Sequence, residues 1–262
     1  MNEEQVALLR SLDLEVGDRL GDVGDLLGPR ADHVLVVLAV VVDVPGVVLL
    51  LDAADAVFEG VYGPYRITDG DRREVLGYRL ALFTAALAQA ALLLQWQRWG
   101  GTWLWPWLLP LLAGVGLALR WIHIYLRPLH RALQLLWLIG SLGFVALAIQ
   151  AGPGGMAAAL AQERRWIWLI GPLFAALAGI GFKEFFCFRR PEAIGVTLLL
   201  PIALLGHLSG LLPGASTALL LGLEAALLLV LCLRKFPMPA AADVGDKSVF
   251  AYLEAQRQHP SP

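Results

Sequence analysis

Two titratable side chains interrupt long apolar stretches in the last quarter of the sequence. His207 follows the run ALLG, and Glu224 stands within LLLGLEAALL. The short segment Pro213–Ser216 would join two antiparallel helices, and a rise of 1.5 Å per residue places the two side chains at depths that differ by roughly 6 Å. Glu224 would lie near the middle of the last span, and an ionisable residue in the middle of a membrane indicates a functional site. His207 and Glu224 could simply pair with each other to satisfy two buried polar groups, could form a proton relay or a ligand site, or could fail to meet. Gln89 and Thr84 of the first span would complete a polar patch.

Small residues flank the histidine of this pair. Gly206, Gly210 and Gly214 recur every four residues, a spacing typical of a helix face that approaches another helix closely. We therefore expect His207 to turn into a helical bundle rather than toward lipid.

A second set of basic side chains lies in the stretch RWIHIYLRPLHR. Arg120, His123, Arg127 and His130 fall near one helical face, which Pro128 interrupts. Such a cluster favours binding of lipid phosphates at the inner leaflet. The two histidines are seven residues apart, about 10 Å along a helix, which is too far for one shared metal ion. Separate ligation of a metal or haem by each histidine stays open.

The third set, in GFKEFFCFRRPE, lies where a long apolar stretch ends. Lys183, Glu184 and Cys187 stand among phenylalanines, a pattern typical of an aromatic and basic collar at the membrane interface. Adjacent helical residues point about 100° apart, so the lysine and the glutamate are not expected to pair directly. Alternatively, Glu184 turns inward to meet Arg120 or Arg127. A reactive Cys187 would also need an oriented base.

The elements that carry these residues are long apolar segments. The chain has 58% hydrophobic and 16% charged residues, with a mean hydropathy of +0.67, whereas a soluble domain has about a quarter of its residues charged. Lipid leaves the backbone no hydrogen-bond partners, so each spanning segment must be helical. We predict an all-α polytopic bundle of six transmembrane helices at about 75–94, 103–122, 132–150, 166–186, 193–212 and 215–233.

The charge at the ends of these segments predicts the orientation. Arginine and lysine residues concentrate before the first segment, after the second and fourth, and after the sixth, which places both termini on the cytoplasmic side. Seven tryptophans fall on the opposite side, where indole rings anchor a protein at the headgroups or present a docking surface for a partner or pigment. They are Trp96, Trp99, Trp103, Trp105, Trp107, Trp166 and Trp168.

Three regions follow from this pattern. Residues 1–60 form an acidic and then valine-rich N-terminal extension, residues 61–236 the membrane domain, and residues 237–262 a cytoplasmic tail. The apolar segment 33–51 is long enough for a seventh span, but Asp43 and Pro45 at its centre favour two strands and a turn instead. The net charge of −2 excludes a nucleic-acid partner. The lipid bilayer and other membrane proteins are the expected partners.

The segments VYGPYRITDGDRREVLGYRLAL and GFKEFFCF resemble those of a family of uncharacterised multi-pass membrane proteins, a domain of unknown function, from cyanobacteria and plant plastids. The resemblance runs from about residue 60 to residue 236. It implies an integral protein of the plasma membrane or the thylakoid membrane, and it implies no activity.

Three classes of function fit these observations. We favour a structural or assembly component of a membrane, since the chain has no nucleophile elbow, zinc-protease motif or phosphate-binding glycine loop. A small proton-coupled transporter would centre on His207 and Glu224. A membrane enzyme or cofactor-binding protein would use residues of the predicted cytoplasmic face, namely His123, His130, Cys187 or Glu184. No catalytic residue, metal ligand or particular cofactor is predicted.

Overall fold

The computed structural model describes residues 56–102, 104–152 and 154–258. Within these ranges two short strands precede a series of helices, with one turn of 3₁₀ helix at Arg164–Trp166. In chain order the other elements are β1 (Val57–Gly60), β2 (Gly63–Arg66), α1 (Asp69–Trp99), α2 (Trp105–Trp121), α3 (Arg127–Ala151), α4 (Met156–Gln162), α5 (Ile167–Phe188), α6 (Pro191–Leu208), α7 (Gly214–Lys235), α8 (Ala240–Val244) and α9 (Lys247–Gln258).

Local sequence signals set where the long helices begin. At the start of α1 the Thr68 hydroxyl accepts a hydrogen bond from the Asp71 backbone N–H, and the Asp71 carboxylate accepts one from the Thr68 N–H at 2.6 Å. This capping box satisfies two backbone donors that the first helical turn leaves free. Proline occupies the first turn of α2, α3 and α6, where it breaks no helical hydrogen bond.

The six long helices form a closed ring. Each of them packs on the next long helix in the chain, and α7 packs back on α1. Leucine and valine side chains fill the interior, among them the fully buried Leu82, Val115, Leu173, Leu200 and Leu228. The outward faces expose large apolar side chains over the length of the helices, which suits lipid rather than water as the surrounding solvent.

Five of these helical segments are long and apolar enough to cross a membrane. They are Asp69–Trp99, Arg127–Ala151, Arg164–Phe188, Pro191–Leu208 and Gly214–Lys235. The predicted span at 103–122 corresponds to α2, an apolar helix of 17 residues. At 1.5 Å per residue α2 is about 26 Å long, somewhat less than a hydrocarbon core of about 30 Å.

Two glycines allow close helix contacts. A Cβ atom on Gly114 of α2 would lie 2.7 Å from the Ala81 carbonyl oxygen of α1, and one on Gly140 of α3 would lie 2.6 Å from the Leu173 Cβ of α5. The predicted close-approach face of Gly206, Gly210 and Gly214 was wrong. Helix α6 ends at Leu208, so Gly210 lies in the following turn with φ of +77°, and a Cβ on Gly214 would meet open space.

A β-hairpin and the C-terminal helices meet beside the start of α1, and this adds a small β element to the predicted all-α bundle. Strands β1 and β2 pair antiparallel. The Val61 N–H donates to the Asp246 carboxylate at 2.7 Å, and the Tyr62 N–H donates to the Ser248 hydroxyl at 3.0 Å. A small apolar cluster of Ile67, Val75, Ala240 and Val244 lies under this contact.

The predicted division of the chain at residues 60 and 236 stays a prediction. The hairpin straddles the first boundary, and residues beyond the second boundary contact the hairpin. The N-terminal extension up to residue 55, with the apolar segment 33–51, lies outside the described residues, as does Trp103.

Candidate functional site

A cavity of about 440 Å³ lies inside the ring, toward the end that carries most of the tryptophans. Its wall comes from all six long helices and from α4. Exposed residues at this end, including Trp96 and Gln97, belong to its lining, so the cavity reaches the surface there. Most of the wall is leucine, isoleucine, phenylalanine and alanine; the polar members are Gln89, Gln97, His207 and Thr217. A largely apolar cavity with a few polar groups is typical of a small-molecule site.

The deepest polar group of the wall is an amide that is held by a buried acid. Gln89 is 3% exposed and Glu224 is 0% exposed. The Gln89 Nε2 donates a short hydrogen bond to the Glu224 Oε2. The remaining oxygens of both side chains, Gln89 Oε1 and Glu224 Oε1, have no hydrogen-bond partner among the described residues. The sequence had placed Gln89 in a polar patch with Glu224, and the structure brings these two residues together.

His207 lines the same cavity but lies nearer its mouth. It stands in the last turn of α6, which ends at Leu208, whereas Glu224 lies ten residues into α7, about 15 Å from the start at Gly214. Within the described part of the chain, His207 Nδ1 is buried and has no partner. Glu224 is therefore hydrogen-bonded to Gln89 and not to His207, which is one of the partners that the sequence suggests.

A second polar feature lies at the other end of the ring, where several charged side chains are buried together. The Glu184 carboxylate accepts a hydrogen bond from the Tyr78 hydroxyl at 2.6 Å and pairs with Lys235 at 2.6 Å and Lys183 at 3.3 Å. These residues come from α1, α5 and α7. Buried carboxylates and ammonium groups persist only where such partners compensate for lost water.

The C-terminal segment completes this ionic cluster, which we define as Tyr78, Arg79, Lys183, Glu184, Lys235 and Asp243. Asp243 of α8 bonds to Arg79 at 2.7 Å and makes a short contact with Lys235. Arg79 also donates to the backbone carbonyl oxygens of Phe236, Met238 and Pro239. Burial acts to raise the pKa of Asp243, but the charges of Lys235, Lys183 and Arg79 outweigh it and hold that pKa below its ordinary value.

The sequence placed Lys183 and Glu184 in a collar whose members would not pair, and this was wrong. The flexible lysine stem lets the ammonium group curl back toward the carboxylate of its neighbour, and the amine also lies 5.6 Å from the centre of the Tyr78 ring. Neither of the suggested arginine partners takes part in the contacts of Glu184. Arg120 is exposed, and Arg127 pairs with Glu254 at 2.6 Å.

The basic set from 120 to 130 does not share one helical face. Helix α2 ends at Trp121 and α3 begins at Arg127, so Pro128 opens a new helix instead of interrupting one. His123 lies 3.5 Å from Glu74, and burial lowers the pKa of His123 although Glu74 acts to raise it. His130 Nε2 lies 2.6 Å from the Leu119 carbonyl oxygen.

These residues nevertheless border a common space. His123, Arg127 and His130 line a small cavity of about 270 Å³ together with residues of α9, including Glu254 and Arg257. Over the residues that the structure describes, no group of three or more histidine, cysteine, aspartate or glutamate residues is arranged to hold a metal ion.

The two cysteines differ in their surroundings. Cys187 is exposed and Cys232 is buried. Cys187 follows Lys183 and Glu184 on α5, and a reactive thiol at this position would need an oriented base.

Four residues of the ionic cluster carry no local site signal in the sequence. Arg79 is one of the basic residues near the start of the first predicted span, Lys235 is a basic residue after the sixth, Asp243 lies in the predicted tail, and nothing local distinguishes Tyr78. One signal was available: Tyr78 and Gln89 are eleven residues apart, as are Glu224 and Lys235, and eleven residues return a helix to nearly the same face.

Comparison with known families bears on what kind of protein this is. Residues 117–252, just over half of the 262 residues, match the family described as "Uncharacterized integral membrane protein (DUF2301)". The chain belongs to this family. The predicted resemblance to an uncharacterised membrane family and the predicted membrane location are thereby confirmed. The matched part of this chain contains His207, Glu224 and four residues of the ionic cluster, Lys183, Glu184, Lys235 and Asp243. No curated protein and no solved structure matches the chain.

Proposed function

We propose that this integral membrane protein binds a small, largely apolar molecule in the cavity at the tryptophan end of the ring. The observation that carries the proposal is the cavity itself, with about 440 Å³ of space between helices of a membrane protein. This volume falls in the range of about 300–1,000 Å³ that is usual for small-molecule sites. Its wall is mostly apolar, so binding of a ligand removes little water from polar groups of the protein.

Two arrangements of the chain are part of this proposal. The short helix α2 also spans the membrane and brings the number of spans to six. It completes the ring between α1 and α3, and its 17 residues lie at the low end of the spanning range of about 17–25 residues. With six spans and the bias of basic residues, both termini lie on the cytoplasmic side and the cavity opens on the other side. The cyanobacterial or plastid setting and the thylakoid or plasma membrane stay predictions from the resemblance.

Binding of this kind suits either a membrane-embedded binding protein or a carrier. The deeply buried Glu224 beneath the cavity supports the carrier, since intramembrane carboxyl groups mark ion and substrate paths. The assembly role that the sequence favoured has a separate support. Trp96, Trp99 and Trp168 are exposed at one end of the bundle, where they can anchor in headgroups or contact another membrane protein.

The experiment that tests the proposal measures quenching of tryptophan fluorescence by bromodecane in lipid nanodiscs. Bromine quenches over short distances, and Trp96 lies in the cavity wall. Bromodecane dissolved in the lipid also quenches the exposed tryptophans. A variant with a filled cavity is therefore needed to separate quenching by probe in the cavity from quenching by probe in the lipid. Ala218→Phe fills the cavity from α7, and Ala146→Phe makes the same change on the exposed face of α3.

We expect the natural protein and Ala146→Phe to show a saturable quenching component that Ala218→Phe lacks. Circular dichroism and monodisperse elution check that each variant is folded. Equal, unsaturable quenching in all three folded proteins would contradict the proposal, because the cavity would then take up no more probe than the bilayer does.

A further inference from the structure

We infer that the side-chain amide of Gln89 selects ligands that carry a hydrogen-bond donor, a hydroxyl or a protonated amine, at the end that enters the cavity first. This inference rests on the proposed function and names the class of ligand that the same cavity takes. It starts from one buried acceptor, Gln89 Oε1, which has no partner among the described residues.

The orientation of the amide follows from its neighbour. Gln89 offers one donor end and one acceptor end, and its donor end is the one that faces the Glu224 carboxyl group. The Nε2 end donates to Glu224 Oε2, so the oxygen is the end that remains for another partner. Glu224 is thus a positioning residue: it fixes which end of the amide is free.

The position of the amide makes this oxygen a recognition group. Gln89 belongs to the cavity wall, is 97% buried (3% exposed), and stands ten residues before the end of α1 at Trp99, about 15 Å from it. A buried acceptor without a partner costs free energy, and a ligand donor that reaches it removes that cost. A ligand with only an acceptor would leave the cost in place.

The other polar groups of the wall are either satisfied or lie elsewhere. The Thr217 hydroxyl donates to the Pro213 carbonyl oxygen at 3.2 Å within its own helix, and Gln97 is exposed at the mouth. His207 Nδ1 is the second buried atom without a partner in the described wall, but it belongs to the last turn of α6, near the mouth. A polar head that lies deep in the cavity therefore meets Gln89.

The test compares three probes of one length that carry bromine at one end of a decyl chain. The other end is a hydroxyl, a methyl ether or a methyl group, which gives a donor, an acceptor without a donor, and neither. We expect the saturable quenching of the natural protein to reach half its amplitude at about 2- to 12-fold lower concentration for the hydroxyl probe than for the ether, the effect of one net hydrogen bond. Bromodecylamine shows whether an ammonium group is preferred to a hydroxyl.

Replacing the amide should abolish this preference. In Gln89→Leu the hydroxyl and ether probes should saturate at the same concentration. That single variant leaves Glu224 buried without its donor and could lose stability, so the double variant Gln89→Leu with Glu224→Leu provides a fully apolar floor of similar volume. His207→Leu removes the other unpartnered buried atom of the wall and tests whether it, rather than Gln89, selects the donor. The matched control is Thr84→Val, which removes a hydroxyl from the exposed face of α1 and should retain the preference.

The outcomes separate the inference from the proposed function. If no probe shows saturable quenching, the proposed function fails. If hydroxyl and ether probes bind equally to the natural protein, the cavity binds apolar molecules but Gln89 does not select a donor. A preference that survives in the folded double variant, or that disappears in His207→Leu, also overturns the inference.

Discussion

Replacing Asp243 by asparagine should destabilise the end of the ring that carries the ionic cluster more than a change to an exposed charge does. Asp243 is 4% exposed and is bonded to both Arg79 and Lys235. The variant Asp243→Asn keeps the size of the side chain and removes its charge. Two buried cations are then left with one carboxylate fewer, since Glu184 is already shared between Lys183 and Lys235.

The magnitude follows from the burial of the pair. Removal of one partner from a buried ion pair typically costs about 3–5 kcal/mol, because the other charge remains without water or a counterion. Arg79 keeps three backbone carbonyl acceptors, so we expect the lower half of this range. In contrast, Glu163→Gln removes a pair with Arg165 whose members are 56% and 84% exposed, and should cost no more than about 1 kcal/mol.

Labelling of a buried thiol measures this difference. Cys232 is 2% exposed and lies one turn before Lys235 on α7, so a maleimide reaches it only after the helices open. With Cys187 replaced by serine, the rate at low reagent reports the population of the open form. A loss of about 3 kcal/mol should raise the labelling rate on the order of 100-fold for Asp243→Asn, and Glu163→Gln should change it by less than about 5-fold.

A double variant shows whether the contact itself is responsible. Lys235→Met combined with Asp243→Asn should cost less than the sum of the two single variants, by about 0.5–3 kcal/mol, because the two residues contact each other. If Asp243→Asn labels no faster than Glu163→Gln, or if the two single variants add exactly, the cluster does not hold this end of the ring closed.

Three further predictions concern acid, helix packing and thiol exposure. The folded-state pKa of Asp243 lies below the unfolded value of about 3.9. The contribution of the Asp243 carboxylate to stability is therefore complete above about pH 4 and is lost as the pH falls through the folded-state pKa. Below pH 4, the free energy of unfolding should fall more steeply with decreasing pH for the natural protein than for Asp243→Asn. Gly114→Ala should destabilise the folded protein by about 1–3 kcal/mol because the new Cβ would overlap α1. The control Gly222→Ala places its Cβ in open space and should be neutral or stabilise the protein by up to about 1 kcal/mol. Thermal unfolding in detergent compares the two variants. In the natural protein, maleimide should label Cys187 much faster than Cys232 unless denaturant is added. Equal labelling rates for the two thiols would contradict the described packing.

The sequence by itself determined the class of the protein and the positions of its helices. Apolar stretches of about 20 residues have one stable structure in lipid, a helix, because only a helix satisfies its own backbone. The predicted segments at 132–150, 166–186 and 215–233 therefore coincide with α3, α5 and α7. The tryptophans near the helix ends were also readable, since the preference of an indole ring for the headgroup zone is local.

Only the tertiary structure decided which polar groups meet. Gln89 and Glu224 are 135 residues apart, and Arg79 and Asp243 are 164 apart; nothing local in either stretch encodes the other. The expected partner of Glu224 was displaced because α6 ends at Leu208, a boundary set by the glycine turn that follows rather than by hydrophobicity. Pairing of buried polar groups depends on the rotation and neighbours of each helix, and those are fixed by packing of side chains across the whole ring.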